Sequence, residues 1–450
     1  MRHRLLRAML LACCAVPVAL FAQAPRSMPQ CAPDNGGLTL GSGFCALVVA
    51  DQTGPARHLV VSGNGDIYVA LRNIPNQPGG VIALRDTNGD GRADVRETFG
   101  DSGGTGIALR NGYLYLSRDD AVVRFPIKAG QLLPAGPAET VVGGFPVQQV
   151  HSTKTMAFDD RGGLYVNVGL RANACTDPDQ GKVPGLNPCP YLENGGGVWR
   201  FEAGRTGQQF GRDGTRHSTG LRQSNSMAWH PTARALYLMQ HGRNGLNRWT
   251  EYYTRELNAE LPAEEFQRVA EGANFGFPYC YYDPMQNTRV LAPEYGGDGR
   301  NVGDCARYPA PVAAFPAHWA PNDLIFYTGS QFDRKYAGGA FIAFHGGASR
   351  APLPQGGYKV VFQPMRDGKA SGAYEVFADG FAGKPVVMAR EEAVSRPMGL
   401  AQGPDGSLYI ADSVKGKIWR VMYRGAGTRT RADLKVGPYT NIGGNVGAGL

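Results

Sequence analysis

His151 and Lys154 lie close together in the polar stretch Val150-His151-Ser152-Thr153-Lys154, just ahead of a short apolar run and the turn Asp159-Asp160-Arg161-Gly162-Gly163. A histidine titrates near neutral pH and can act as a general base toward a hydroxyl group. Three arginines sit in comparable surroundings: Arg222 and Arg396 just before apolar runs, and Arg350 in the loop after one. Read singly, each is also an ordinary surface arginine. If their loops converge, three guanidiniums make a site for a polycarboxylate, because Arg pairs with carboxylate in a bidentate way. A further candidate is Asp86-Thr87-Asn88-Gly89-Asp90-Gly91-Arg92-Ala93-Asp94, with oxygen side chains at loop positions 1, 3, 5 and 9 and glycine at position 6. Asp86, Asn88, Asp90 and Asp94 are thereby expected to hold calcium; a simple Asp/Asn/Gly turn is the other reading.

The elements that must position these groups are short strands. With 63 glycines and 31 prolines in 450 residues, tight turns between strands are the main building material. A hairpin recurs whose second strand carries an Ile/Leu-Tyr pair: Ile67-Tyr68, Leu114-Tyr115, Leu164-Tyr165, Leu236-Tyr237 and Leu408-Tyr409, with a degraded copy at Gly339 to Phe344. The shorter spacings suit a four-stranded blade and the longer ones a blade plus an insertion. The fold class expected is all-β, a six-bladed β-propeller over residues 25–450 with no internal domain boundary; a pair of β-sandwiches explains the repeat less well. Insertions at about 170–215 and 245–310 are expected to build a binding face. Glu260 to Phe266 reads as a helix start, with proline and acids in its first turn.

Residues 1–24 read as a secretory signal peptide: a cationic start, an apolar run from Ala8 to Phe21, and Ala22-Gln23-Ala24 as cleavage site. Cys13 also permits a lipoprotein signal. The run is short of the roughly 20 apolar residues of a membrane span, so no transmembrane span is expected in the mature chain, and the location expected is periplasmic or secreted. Of eight cysteines, six remain after cleavage, and nearest-neighbour pairing predicts Cys31–Cys45, Cys175–Cys189 and Cys280–Cys305. No cysteine–histidine spacing suits zinc, and no CxxCH is present for a covalent haem. The net charge of +8 comes without the Lys/Arg runs of a nucleic-acid binder.

His151 ahead of its hairpin, Gly220-Leu221-Arg222, Gln240-His241-Gly242-Arg243-Asn244, Glu260-Leu261-Pro262, Gly272 to Tyr279, Ala340 to Gly346 and Arg396-Pro397-Met398-Gly399-Leu400 together resemble the glucose/sorbosone dehydrogenase family. The resemblance covers nearly the whole mature chain. It implies a six-bladed propeller that oxidises a small sugar with pyrroloquinoline quinone (PQQ) and passes electrons to a separate acceptor. It further implies His151 as the base and Arg222 beside the quinone oxygens. Lys154, Gln223, Arg350 and Arg396 would contact the cofactor, and a second calcium would lie on backbone around Glu260, Leu261 and Pro262. The chain departs from the family pattern at Gln223, Ser226 and Asn244, and at Gly347-Ala348-Ser349 where Ser-Trp-Asn is typical. Those departures support the competing reading, a non-catalytic propeller that binds carbohydrate or protein. A calcium-dependent lactonase is a third, lacking acidic ligands at the hairpin openings.

Overall fold

A computed structural model describes residues 28–77 and 79–425; the expected signal peptide lies outside the described residues. Six antiparallel sheets follow one another along the chain, each a blade. Blade I comprises Ala56–Val61, Ile67–Leu71, Gly80–Arg85 and Val95–Phe99; blade II comprises Ile107–Arg110, Tyr113–Ser117, Val122–Pro126 and Glu139–Gly143. Blade III is Met156–Phe158, Gly163–Val168, Gly197–Glu202 and Thr215–Thr219, and blade IV is Ser226–His230, Ala235–Gln240, Glu264–Val269 and Ala313–Phe315. Blade V is Pro321–Phe326, Ala340–Phe344, Lys359–Gln363 and Glu375–Asp379. Blade VI takes Pro397–Gln402, Leu408–Asp412 and Ile418–Tyr423 from the end of the chain and its outermost strand, Phe44–Ala50, from the beginning. The six first strands together line a central cavity of about 360 Å³.

The recurring apolar-Tyr pair has a physical reason. Adjacent residues of a strand point to opposite faces, so the pair serves two interfaces at once. Tyr68, Tyr115 and Tyr237 are buried, and their hydroxyls donate to Gln131 O (3.4 Å), Ala203 O (3.1 Å) and Gly368 O (2.7 Å) in the next blade of the ring. Each tyrosine thus fills an interblade seam with its ring and satisfies its polar end on the neighbour. The degraded copy conforms: Phe341 fills the seam in blade V without a hydroxyl to satisfy.

The insertions assemble on the end of the ring where the second strands finish, which we call the mouth. Asn274 pairs alongside Thr219 and returns the chain from the far end. Cys175–Cys189 and Cys280–Cys305 staple two of the insertions, and Cys31–Cys45 staples the N-terminal segment, as the spacing suggested. A buried bidentate pair, Arg243 with Glu294 at 2.6 and 2.7 Å, ties the segment after the second strand of blade IV to the later insertion. One expectation is corrected. The helix in this region is Arg255–Glu260, capped by the Thr254 side chain, and Glu264–Val269 is a strand. A residue before proline is pushed out of the helical region, so Leu261 is extended ahead of Pro262 and the helix ends there.

Candidate functional site

At the mouth His151 adopts a left-handed backbone conformation, φ 56°. This is costly for a residue with a Cβ and persists only where its surroundings enforce it. Gly169 makes the room: a Cβ there would lie 2.7 Å from the His151 Cβ and 2.1 Å from Gln223 Oε1. The His151 Nδ1 lies 2.5 Å from Leu170 O, and a carbonyl can only accept, so the proton of the neutral ring is on Nδ1 and Nε2 keeps its lone pair. Burial, then the charge of Arg222, hold the His151 pKa well below 6.5. The ring is neutral at physiological pH, as a base requires.

Arg222 is buried and donates from Nε to Asn173 Oδ1 (3.0 Å); burial lowers its pKa to about 10. Its backbone is fixed between blades, N–H to Gln240 Oε1 (3.1 Å) and carbonyl accepting from Leu170 N (2.7 Å). His241 and His318 are held neutral, each to about 4, chiefly by burial, with Arg222 contributing to both. His345 is likewise lowered, by burial and then by Arg396 and Arg57. Glu264 accepts from Gly242 N (2.9 Å) and Ala320 N (3.0 Å), and burial raises its pKa to about 7. The mouth is therefore a ring of neutral imidazoles and cationic guanidiniums.

The other sequence-identified groups divide. Arg396 is half-buried at the mouth and donates to the carbonyls of His345 and Gly346. Gln223 is buried and donates to Thr153 O, Thr153 Oγ1 and Asn225 Oδ1 while accepting from Asn167. It anchors a polar floor: Asn225 donates to Asn322 Oδ1 (3.0 Å), and Asn322 O receives the His58 ring at 2.7 Å. Lys154 is fully buried, its ammonium donating to Ser152 O (2.5 Å) and Pro146 O (3.3 Å), and burial lowers its pKa to about 8. Arg350 spends its donors on Pro354 O, Ala259 O, Ala317 O and the Glu260 carboxylate. Pro262 and Ala263 stand beside Gly242, where a Cβ would lie 3.0 Å from the carbonyl oxygen of each, so only glycine fits against these carbonyls; Leu261 is buried just before them.

The Asp86–Asp94 loop is elsewhere, between the third and fourth strands of blade I at the end opposite the mouth. Asp86 accepts from Gly89 N and Gly91 N, Asp90 from Arg92 N, and Asp94 from Thr87. Among the described residues no three His, Cys, Asp or Glu side chains gather where they could hold a metal. Sequence reasoning passed over Arg57, Asn173, Glu264 and His318. Arg57 carried the same signal as Arg222 and Arg396, an arginine at the start of a hairpin.

The TrAA12-like family matches residues 38–424. The chain belongs to the TrAA12-like family. Among solved structures similar to this TrAA12-like chain, a calcium structure of a Trichoderma reesei carbohydrate-active enzyme of family AA12 is 18% identical. Its TM-score is 0.68, over 86% of this chain and 97% of the other. The holo PQQ domain of a Coprinopsis cinerea pyranose dehydrogenase is 18% identical, with TM-score 0.67 over 89% and 99%. A PQQ-bound aldose sugar dehydrogenase from Streptomyces coelicolor is 15% identical, with TM-score 0.51 over 85% and 99%. At such identities the likeness is one of fold. An uncharacterized protein of Borreliella burgdorferi is 28% identical over 208 residues, 45% of this chain and 48% of that protein, so the match spans about half the length of that curated relative.

Proposed function

We propose that this TrAA12-like chain is an exported, PQQ-dependent oxidoreductase that oxidises a small sugar and hands the electrons to a separate acceptor. The observation that carries the reading is a neutral His151, its Nε2 lone pair unprotonated, set beside buried Arg222 at the mouth of a propeller. The donor chemistry fits a polycarboxylate quinone: Arg222 and Arg396 make no ion pair among the described residues, so each has charge to offer an anion. The PQQ of the Coprinopsis cinerea and Streptomyces coelicolor structures supports the same choice.

His151 Nε2 would accept the hydroxyl proton of the substrate, while the Nδ1–H bond to Leu170 O keeps the ring aimed and stabilises its protonated form. Arg222 disfavours standing charge on the imidazole, so the base stays unprotonated until substrate arrives. It would also stabilise negative charge developing at the quinone oxygens. Bound PQQ supplies the acceptor for the hydride that leaves the substrate carbon. Gln223, Arg350 and Lys154 serve by holding the floor and the insertions in place. Calcium is proposed on the backbone around Glu260, Leu261 and Pro262; the Glu260 carboxylate itself is paired with Arg350. Export rests on the leader-like residues 1–24 together with three disulfides.

The test is calorimetric titration of chelator-stripped protein with PQQ, with and without calcium, then a sugar screen with an artificial electron acceptor. Tight calcium-dependent binding and turnover are expected. No binding under either condition overturns the reading.

A further inference from the structure

Arg57 is the second residue of the first strand of blade I, one residue before His58, which begins the lining of the central cavity. It is only 8% exposed. Its Nε donates to Thr105 Oγ1 at 3.3 Å, in the link to blade II, and this is the one side-chain hydrogen bond it makes among the described residues. Among the described residues neither terminal nitrogen reaches a protein acceptor and no carboxylate pairs with the guanidinium. On the other side the backbone is pressed against blade VI: a Cβ on Gly399 would lie 2.5 Å from Arg57 O. The guanidinium is near enough to His241 and His345, across the mouth, to lower the pKa of both.

The two terminal nitrogens are not sealed inside protein: neither is a buried polar atom without a partner, so they keep access to the open mouth while the rest of the side chain is buried. A guanidinium held in this way has two donors free to meet an anion that enters the mouth. The contrast within the mouth sharpens the point. Lys154 and Arg350, the cations expected to hold cofactor carboxylates, spend their donors on backbone carbonyls and on Glu260. Arg57, Arg222 and Arg396, from blades I, IV and VI, are mouth arginines that are buried or half-buried and, among the described residues, make no ion pair.

We propose that Arg57 is a carboxylate-binding residue of the mouth, taking one carboxylate of the quinone cofactor on its two free terminal nitrogens in bidentate geometry. This rests on the reading of the protein as a PQQ enzyme. A planar fork suits a planar carboxylate, and bonds between two ionised partners are about twice as strong as neutral ones. Lysine at this position would keep the charge and lose the fork.

The experiment titrates wild-type protein, Arg57→Lys and Arg57→Met with PQQ in the presence of calcium, following tryptophan fluorescence, and repeats the titration with the PQQ trimethyl ester. Thermal melting checks that the variants are folded. Wild type should bind PQQ; Arg57→Met should weaken the affinity by roughly tenfold to a hundredfold, as loss of a charged hydrogen-bonded pair does, and Arg57→Lys by less. For the ester, wild type and Arg57→Met should differ little, since the carboxylate charge is gone. If Arg57→Met destabilises the fold, Arg57→Lys and the ester comparison on wild type decide. Wild-type binding with variants of unchanged affinity overturns the role of Arg57 alone. A penalty that is as large for the ester as for PQQ overturns it too, by showing a merely structural effect. Absence of PQQ binding by wild type overturns the cofactor reading and this inference with it.

Discussion

At the scale of single residues, the mouth is governed by burial more than by pairing. His151, His241, His318 and His345 are all lowered below the usual histidine value, with burial the first cause in each. For a base this fixes the sign of the pH dependence. A histidine whose folded pKa lies well below 6.5 is already deprotonated at pH 6.5, so kcat/KM should stay level through that pH and fall only under more acid conditions. A profile dropping with a midpoint at or above 6.5 would remove His151 from the role. His151→Ala should lower kcat by about 10²–10⁴-fold, the usual range for a general base, and change PQQ affinity far less, as measured by paired kinetics and titration. His151 and Arg222 were legible in the sequence because each opens a hairpin. The fate of Arg350 and Lys154 was not, since whether a cation faces a cavity or a carbonyl depends on contacts far away in the chain, such as Arg350 with Ala259 and Ala317.

At the scale of elements, the repeat was readable because the demand that makes it is local: an apolar-Tyr pair on the second strand, whose hydroxyl at Tyr68, Tyr115 and Tyr237 is satisfied on the neighbouring blade and at Tyr165 by Asp159 of its own blade. The insertions were readable only as lengths. Their architecture rests on pairs such as Arg243 with Glu294 and Tyr253 with Tyr281 (2.8 Å), which no periodicity announces. The misplaced helix shows the limit, since Glu264 and Glu265 look like first-turn acids. In the fold both are buried on a strand, Glu264 bonded to backbone amides and Glu265 to Arg289 and Gln240. Replacing Glu294 by Ala should cost about 3–5 kcal/mol, the usual penalty for stranding one partner of a buried ion pair. Denaturant unfolding measures it, and a cost below about 1 kcal/mol would show that water already reaches the pair. Because this pair ties the segment after the second strand of blade IV to the later insertion, with Arg243 close enough to Arg222 to act on its charge, the same variant should also weaken PQQ binding.

At the scale of the whole molecule, stability depends on closing the ring. The strand Phe44–Ala50 pairs antiparallel with Ile418–Tyr423, so blade VI exists only when the two ends of the chain meet. The strand also works in two seams: Ala46 and Phe44 pack into the cluster shared by blades V and VI, while Leu47 and Val49 pack into the one shared by blades VI and I. Cys45 lies within it and is bonded to Cys31, which steadies the segment from the other side. An open ring would leave Ile418–Tyr423 as an exposed edge and both seams half empty. Leu47, 1% exposed, is the sharpest probe. Leu47→Ala should cost about 2–5 kcal/mol, the range for emptying a leucine site in a packed core, and should lower the melting temperature in one cooperative step. A transition that splits in two, with most of the protein melting at the wild-type temperature, would mean that the closing strand peels away alone and that five blades hold without it.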